Sequence, residues 1–311
     1  MSRTVMAVLL FVIVCSAVPR GALGVPVVDG SKDAEYGRAV SVQTVNTQFG
    51  DNASELDAAY AAVREGRLYL LLTGNIEANF NKLEVFFDSL PGGERTLTAA
   101  GLPHAEDSVY NLAGLTFDAG FAPDRYLFVR RGFGRLDLDY LTLGGQGSFS
   151  SHRDVLGGAD FGHGLTGTGA NALPIEVAYD GSNAAGVIDG TAAADQAAAE
   201  AVATGLELSV ALSDLGVVGD SFRVAVFQNN NEHNILSNQV LGGIAAPWGN
   251  MGGDGIGTYT GTVSGIDFNN FAGEQFFTVP EPSVLPLTAF GALSLLRRSR
   301  HRRPAAGPSI A

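Results

Sequence analysis

The chain has 311 residues, 46% hydrophobic and only 16% charged, with 41 glycines and a formal net charge of −13 at pH 7. Its single cysteine, Cys15, lies in the N-terminal apolar run, so the processed chain carries no thiol, which excludes disulfides, zinc-thiolate sites and cysteine nucleophiles. Setting aside two basic residues near the N-terminus and five near the C-terminus, 32 acidic residues face 12 basic ones over residues 25–282, a net −20 that repels nucleic acid and anionic lipid and suits cations or neutral glycans.

Arg3 precedes the apolar stretch Val5 to Val18, which is followed by Pro19 and the small-residue site Ala22-Leu23-Gly24. This is the pattern of a signal peptide over residues 1–24, with signal peptidase as its processing partner. The run is short against the ~20 residues of a retained membrane span. Val12-Ile13-Val14-Cys15 lacks the small residue that a lipoprotein site needs before its cysteine.

From Val25 onward short apolar stretches alternate with turn residues. Leu56 to Val63 and Leu68 to Leu72 flank Arg64-Glu65-Gly66-Arg67, which predicts strand, turn and strand. Further strands are expected at Phe80 to Asp88, Arg125 to Arg131, Gly205 to Leu212, Phe222 to Gln228 and Gln275 to Val279. A helix is expected over Thr191 to Thr204, Ala-rich and ending at Gly205 as a C-cap, with a short turn at Ser213 to Gly216. Residues 142–172 and 242–261 are Gly-rich and predict long loops. Many short strands with one or two short peripheral helices predict a mostly β ectodomain, a jelly-roll-like β-sandwich over residues 25–278.

Site signals in this region are sparse. Gly162-His163-Gly164-Leu165-Thr166-Gly167 has the spacing of a dinucleotide loop without the flanking strand and helix, and predicts a flexible loop. No Gly-x-Ser-x-Gly elbow occurs, and the ectodomain histidines 104, 152, 163 and 233 show no ligand spacing. Asp137 and Asp139 alternate on an expected strand and share a face, as oxygen ligands of calcium or as a solvated acidic edge. Trp248, with Tyr259 nearby in Gly-rich sequence, offers a stacking face to a sugar or plugs one end of the sandwich. Asn229 to Asn234 hydrogen-bonds a glycan or caps its own backbone. No catalytic residue is assigned, and no cofactor beyond calcium is expected.

The C-terminal segment, residues 279–311, has three parts. Val279, Pro280, Glu281 and Pro282 form an extended motif. An apolar run follows, carrying Val284, Leu285, Leu287, Phe290, Leu293, Leu295 and Leu296, and then a basic cluster with Arg297, Arg298 and Arg300. At ~1.5 Å per residue the run, expected as a short hydrophobic helix, falls short of a ~30 Å hydrocarbon core, with the arginines as a cytoplasmic stop.

This order of motif, apolar run and arginines resembles the PEP-CTERM sorting signal of bacterial proteins handled by exosortase. The resemblance implies recognition at Pro280, Glu281 and Pro282, with removal of the tail by an exosortase-type enzyme. The residues Pro304 to Ala311 depart from it, since such tails usually stop sooner. More loosely, Val27-Val28-Asp29-Gly30, Leu68 to Asn75 with Leu83 to Asp88, and Thr204 to Gly216 resemble DOMON-like and family 9 carbohydrate-binding-module sandwiches. Together these predict an exported, non-enzymatic protein of the cell envelope or extracellular matrix with a structural or adhesive role. The alternatives are a module that binds extracellular polysaccharide and a glycan-active enzyme, the latter requiring two carboxylates roughly 5 to 10 Å apart in a cleft.

Overall fold

A computed structural model describes residues 24–102, 108–145, 147–219 and 221–280. The expected signal peptide, Glu281 and Pro282 of the expected sorting motif, the apolar run and the arginine cluster all lie outside the described residues.

Among the described residues the strands are β1 (Ser41–Val42), β2 (Glu55–Arg64), β3 (Arg67–Asn75), β4 (Lys82–Asp88), β5 (Arg125–Gly132), β6 (Arg135–Thr142) and β7 (Phe149–His152). They continue with β8 (Gly162–Leu165), β9 (Glu176–Tyr179), β10 (Gly205–Ala211), β11 (Ser221–Asn229), β12 (Leu236–Leu241) and β13 (Phe277–Pro280). The helices are α1 (Gln196–Ala201) and α2 (Leu212–Leu215). One sheet runs β1-β2-β3-β10-β9-β8 and the other β12-β11-β4-β5-β6-β7, with β13 joining β11 beside β12. All strand pairings are antiparallel, and the fold is a β-sandwich.

Three apolar layers explain why the strands read as near-continuous hydrophobic runs instead of clean alternation. Between the sheets pack Leu68, Leu70 and Leu72 of β3, Val85 and Phe87 of β4, Leu127 and Val129 of β5, and Leu206 and Leu208 of β10. On the outer face of the larger sheet, Phe86, Tyr126, Phe128 and Phe227 are covered by Leu97, Leu112, Phe117, Val263 and Phe268 from the long connections. Phe86 stacks on Tyr126 with centroids 4.2 Å apart, and such pairs add about 0.5–1.5 kcal/mol beyond area burial. On the outer face of the smaller sheet, Tyr60, Tyr69 and Leu71 are covered by Val28 and Tyr36. That N-terminal segment is pinned by buried Glu207 of β10, which accepts hydrogen bonds from Tyr36 Oη at 2.5 Å and from the backbone N–H of Asp29 and Gly30 at 2.9 Å. Burial raises the Glu207 carboxyl above the usual carboxylate range.

The expected hairpin forms as β2 and β3, with Glu65 and Gly66 both at positive φ (51° and 74°), the conformation that matches strand twist in a two-residue turn. The expected helix over Thr191 to Thr204 is corrected to α1 alone. Residues 191–194 instead lie extended against 44–47, where Asn46 N–H donates to Ala192 O and Ala194 N–H to Thr44 O. Asp195 then caps α1 by accepting from the N–H of Ala197 and Ala198, and Gly205 opens β10 instead of capping a helix. The tertiary pairing outweighs the alanines' helix propensity.

Two loop expectations also change. Residues 142–172 contain β7 and β8, and the segment read as a flexible dinucleotide-like loop is edge strand β8. Gly164 serves packing: a Cβ there would sit 1.7 Å from Val155 O. Strand β12 has no counterpart among the sequence expectations, because Ser237, Asn238 and Gln239 are polar and yet wholly buried. Their side chains are hydrogen-bonded inside the sandwich, Ser237 Oγ to Gln228 O and Asn238 Nδ2 to Asn46 O.

Candidate functional site

Alternation along β5 turns Leu127 and Val129 into the core between the sheets, and Arg131 follows them on the same face at the strand's end. Tyr179 ends β9 on the opposite sheet, after Val177. The two sheets thus bring an arginine and a tyrosine face to face at one mouth of the sandwich. Phe161, just before β8, stacks on Tyr179 with ring centroids 5.6 Å apart and an interplanar angle of 24°. The Arg131 guanidinium lies against both rings, 5.1 Å from the centroid of Phe161 and 5.6 Å from that of Tyr179. Tyr179 Oη is fixed by accepting from Ile76 N–H at 2.8 Å, and burial raises its pKa.

These side chains line a cleft of about 270 Å³ together with Asn52, Asn75 and Glu77. Phe161 leaves 49% of its surface exposed there. Gly181 closes one wall, where a Cβ would come within 2.6 Å of Tyr179 Oη and 2.7 Å of Phe161 Cε1. Two polar atoms of the lining are buried without a hydrogen-bond partner among the described residues: Nε of Arg131, a donor, and Oδ1 of Asn75, an acceptor.

Beside the cleft lies a pair of buried acids, Glu55 and Asp57 of β2. Glu55 is paired in register with Asn75 and accepts from Asn52 N–H at 2.6 Å. Asn183 Nδ2 bridges the two carboxylates, donating to Glu55 Oε1 at 2.8 Å and Asp57 Oδ2 at 3.2 Å, while Val187 N–H donates to Asp57 Oδ1. Burial is the main cause that pushes Glu55 up to about 7 and Asp57 up to about 8. Each is raised further by Asp51, and Asp57 also by Glu55.

The residues singled out by sequence fall elsewhere. Asp137 and Asp139 do share a face of β6, but on the outer side of the larger sheet and completely buried, so they are not a solvated acidic edge. Their oxygens face arginine: Asp139 pairs with Arg130, and Asp137 with Arg153 at 2.8 Å and Arg135 at 3.1 Å. Ser151 Oγ also donates to Asp139. No group of three or more His, Cys, Asp or Glu among the described residues is arranged to hold a metal ion.

Trp248 is part-buried and packs edge-on against Phe271 at 5.1 Å, beside a smaller cleft of about 120 Å³ lined by Asp254, Ile256 and Asn270. Tyr259 is exposed and does not line that cleft, so the structure does not bring the two aromatics into one platform. Within Asn229 to Asn234 the amides cap their own backbone: Asn229 Oδ1 accepts from Asn230 N–H and Asn230 Oδ1 from Asn234 N–H. His233 is wholly buried with Nδ1 2.8 Å from Glu84 Oε1, and Tyr126 Oη donates to the same carboxylate. Val279 of the expected sorting motif lies buried in β13, paired with Phe222, and Pro280 pairs with Ser221.

Arg131, Phe161 and Tyr179 were not singled out by sequence, since they come from separated segments with no common spacing. One signal was present: Arg131 continues the Leu127, Val129 alternation and so places a cation on a core-facing position. Comparison with known proteins yields no matching family model, curated protein or solved structure.

Proposed function

We propose that this chain is an exported protein of the cell envelope or extracellular matrix, processed by an exosortase-type enzyme at its C-terminal motif, with an adhesive rather than a catalytic role. The observation that carries the reading is that β13 ends on Val279-Pro280, the first half of the sequence Val279-Pro280-Glu281-Pro282, which the apolar run and the arginines follow. The last strand of the sandwich runs into the motif without a linker, so a cut after Pro282 would release a body that keeps β13 paired to β11. Glu55 and Asp57, 0% exposed and bridged by Asn183, are not the open carboxylate pair that the glycan-active alternative requires. A polysaccharide-binding form of the adhesive role is favoured by the aromatic and arginine lining of the cleft at the sandwich mouth.

The test is intact-mass analysis of the protein from its native host, wild type against Glu281→Ala. The expected result is loss of the segment following Pro282 in the wild type and its retention in the variant. A tail retained in both would overturn the sorting reading.

A further inference from the structure

We propose that the cleft at Arg131 binds one sugar ring bearing a carboxylate, a uronic-acid unit, with the guanidinium receiving the carboxylate and Phe161 covering a face of the ring. The choice of a saccharide rests on the adhesive reading above; the polarity of the ligand rests on the cleft itself.

The first observation is the state of Arg131. It stands on a core-facing position, and among the described residues no carboxylate is ion-paired to it. Its Nε is buried with no acceptor. Arg131 is part-buried and has no carboxylate of its own, so an anion entering the cleft gains a charge-assisted hydrogen bond from its guanidinium. The planar fork of the guanidinium suits the two oxygens of a carboxylate.

The second observation is that the rest of the lining offers acceptors. Asn75 is 4% exposed and its Oδ1 has no partner, and Glu77 lines the same cleft with one carboxylate oxygen accepting from Asn79 Nδ2 at 2.6 Å. A bare carboxylate or a phosphate would satisfy Arg131 and leave these acceptors facing more oxygen. A ring with hydroxyl groups as well as a carboxylate supplies the acceptor for Arg131 and the donors for Asn75 and Glu77. Phe161, half-exposed with one face stacked on Tyr179, leaves its remaining apolar surface to the C–H face of such a ring.

Size and charge narrow the class further. A volume of about 270 Å³ lies just under the ~300–1,000 Å³ of ordinary small-molecule sites, which fits a single ring rather than a length of chain. The net −20 over residues 25–282 opposes a ligand of high negative charge, while Arg131 reverses the sign locally for one carboxylate. The overall charge alone pointed to neutral glycans, and the cleft overrides it at this one place.

The experiment is calorimetric titration of the full-length chain with D-galacturonate, with D-galactose as the neutral counterpart and acetate as the carboxylate without a ring. Galacturonate is expected to bind at least about tenfold more tightly than either control, because each control leaves part of the lining unpaired. Arg131→Gln should abolish the preference over galactose. Phe161→Ala, on a half-exposed side chain, should keep the fold by circular dichroism and weaken galacturonate binding by about tenfold. The proposal falls if galactose or acetate binds as well as galacturonate, if Phe161→Ala binds it unchanged, or if galacturonate does not bind. Galacturonate binding by a chain whose tail stays intact in the native host would remove the sorting reading and keep the cleft, and a processed chain that ignores galacturonate would do the reverse.

Discussion

Arg130 and Arg131 are neighbours on β5, and the alternation of the strand sends them to opposite sides of the larger sheet. Arg130 enters the outer layer, is 1% exposed, and pairs with Asp139 and, at 3.7 Å, with Asp137. Arg131 enters the mouth between the sheets and finds two aromatic rings in place of a carboxylate. The carboxylates show the same division, since Asp137 and Asp139 are met by arginines whereas Glu55 and Asp57 are met by an amide and by backbone N–H groups. Charge on the outer face is closed upon itself by ion pairs, whereas at the mouth Arg131 is left without a carboxylate and the two acids beside it are sealed by neutral donors. The first arrangement holds layers together, and the second leaves the Arg131 guanidinium to a ligand.

The largest effect that would test this contrast is expected from Arg130→Met. It leaves Asp139 buried with its hydrogen bond from Ser151 but without the cation, and removing one member of a buried pair costs about 3–5 kcal/mol. Urea denaturation measures it, and a loss below about 1 kcal/mol would erase the distinction between the two arginines.

Next in size is a pH effect from the buried acids beside the cleft. In the unfolded chain Glu55 and Asp57 ionise near their ordinary values of 4.5 and 3.8, whereas the folded protein holds their protons up to about 7 and about 8. Between those limits the folded state binds more protons, so this contribution to stability is fully present at low pH and is lost as pH rises toward about 8. Replacing Asp57 by Asn should flatten the fall in Tm between pH 5 and pH 9 by roughly 5 °C relative to wild type. An unchanged slope would mean that the pair titrates normally.

The smallest effect is expected from Arg131→Met, which exchanges an unpaired cation for an apolar chain of similar length. Its stability should stay within about 1 kcal/mol of wild type. A loss as large as that of Arg130→Met would recast Arg131 as a structural residue and sharpen the comparison in the opposite direction.

Much of the fold was legible because local chemistry and tertiary need agree. Arg64-Glu65-Gly66-Arg67 between two apolar runs fixed the β2–β3 hairpin, and the apolar centres of β4, β5, β10 and β11 marked them as strands. Strand β12 was hidden because its interior is built from Ser237, Asn238 and Gln239, the last two of which meet partners more than 100 residues away, Asn46 and Gln43. The Ala-rich segment before α1 misled for a related reason: residues 44–47 compete for its backbone, and no local pattern records that competition. The site was least legible of all. Asp137 and Asp139 looked like ligands because sequence shows their spacing and conceals the arginines facing them, whereas the cleft is assembled from β5, β9 and the segments around residues 52, 76 and 161, which meet only in the folded chain.

Strand β13 gives the molecule a mechanical property. Its register pairs Phe277 with Val224, Thr278 with Arg223, Val279 with Phe222 and Pro280 with Ser221, antiparallel to β11. A pull directed along this strand on the chain beyond Pro280 would load these contacts in shear, all sharing the force at once, instead of unzipping them one by one. Val279, only 1% exposed, acts as a barb set between the sheets, so the body resists detachment from whatever holds its C-terminal end.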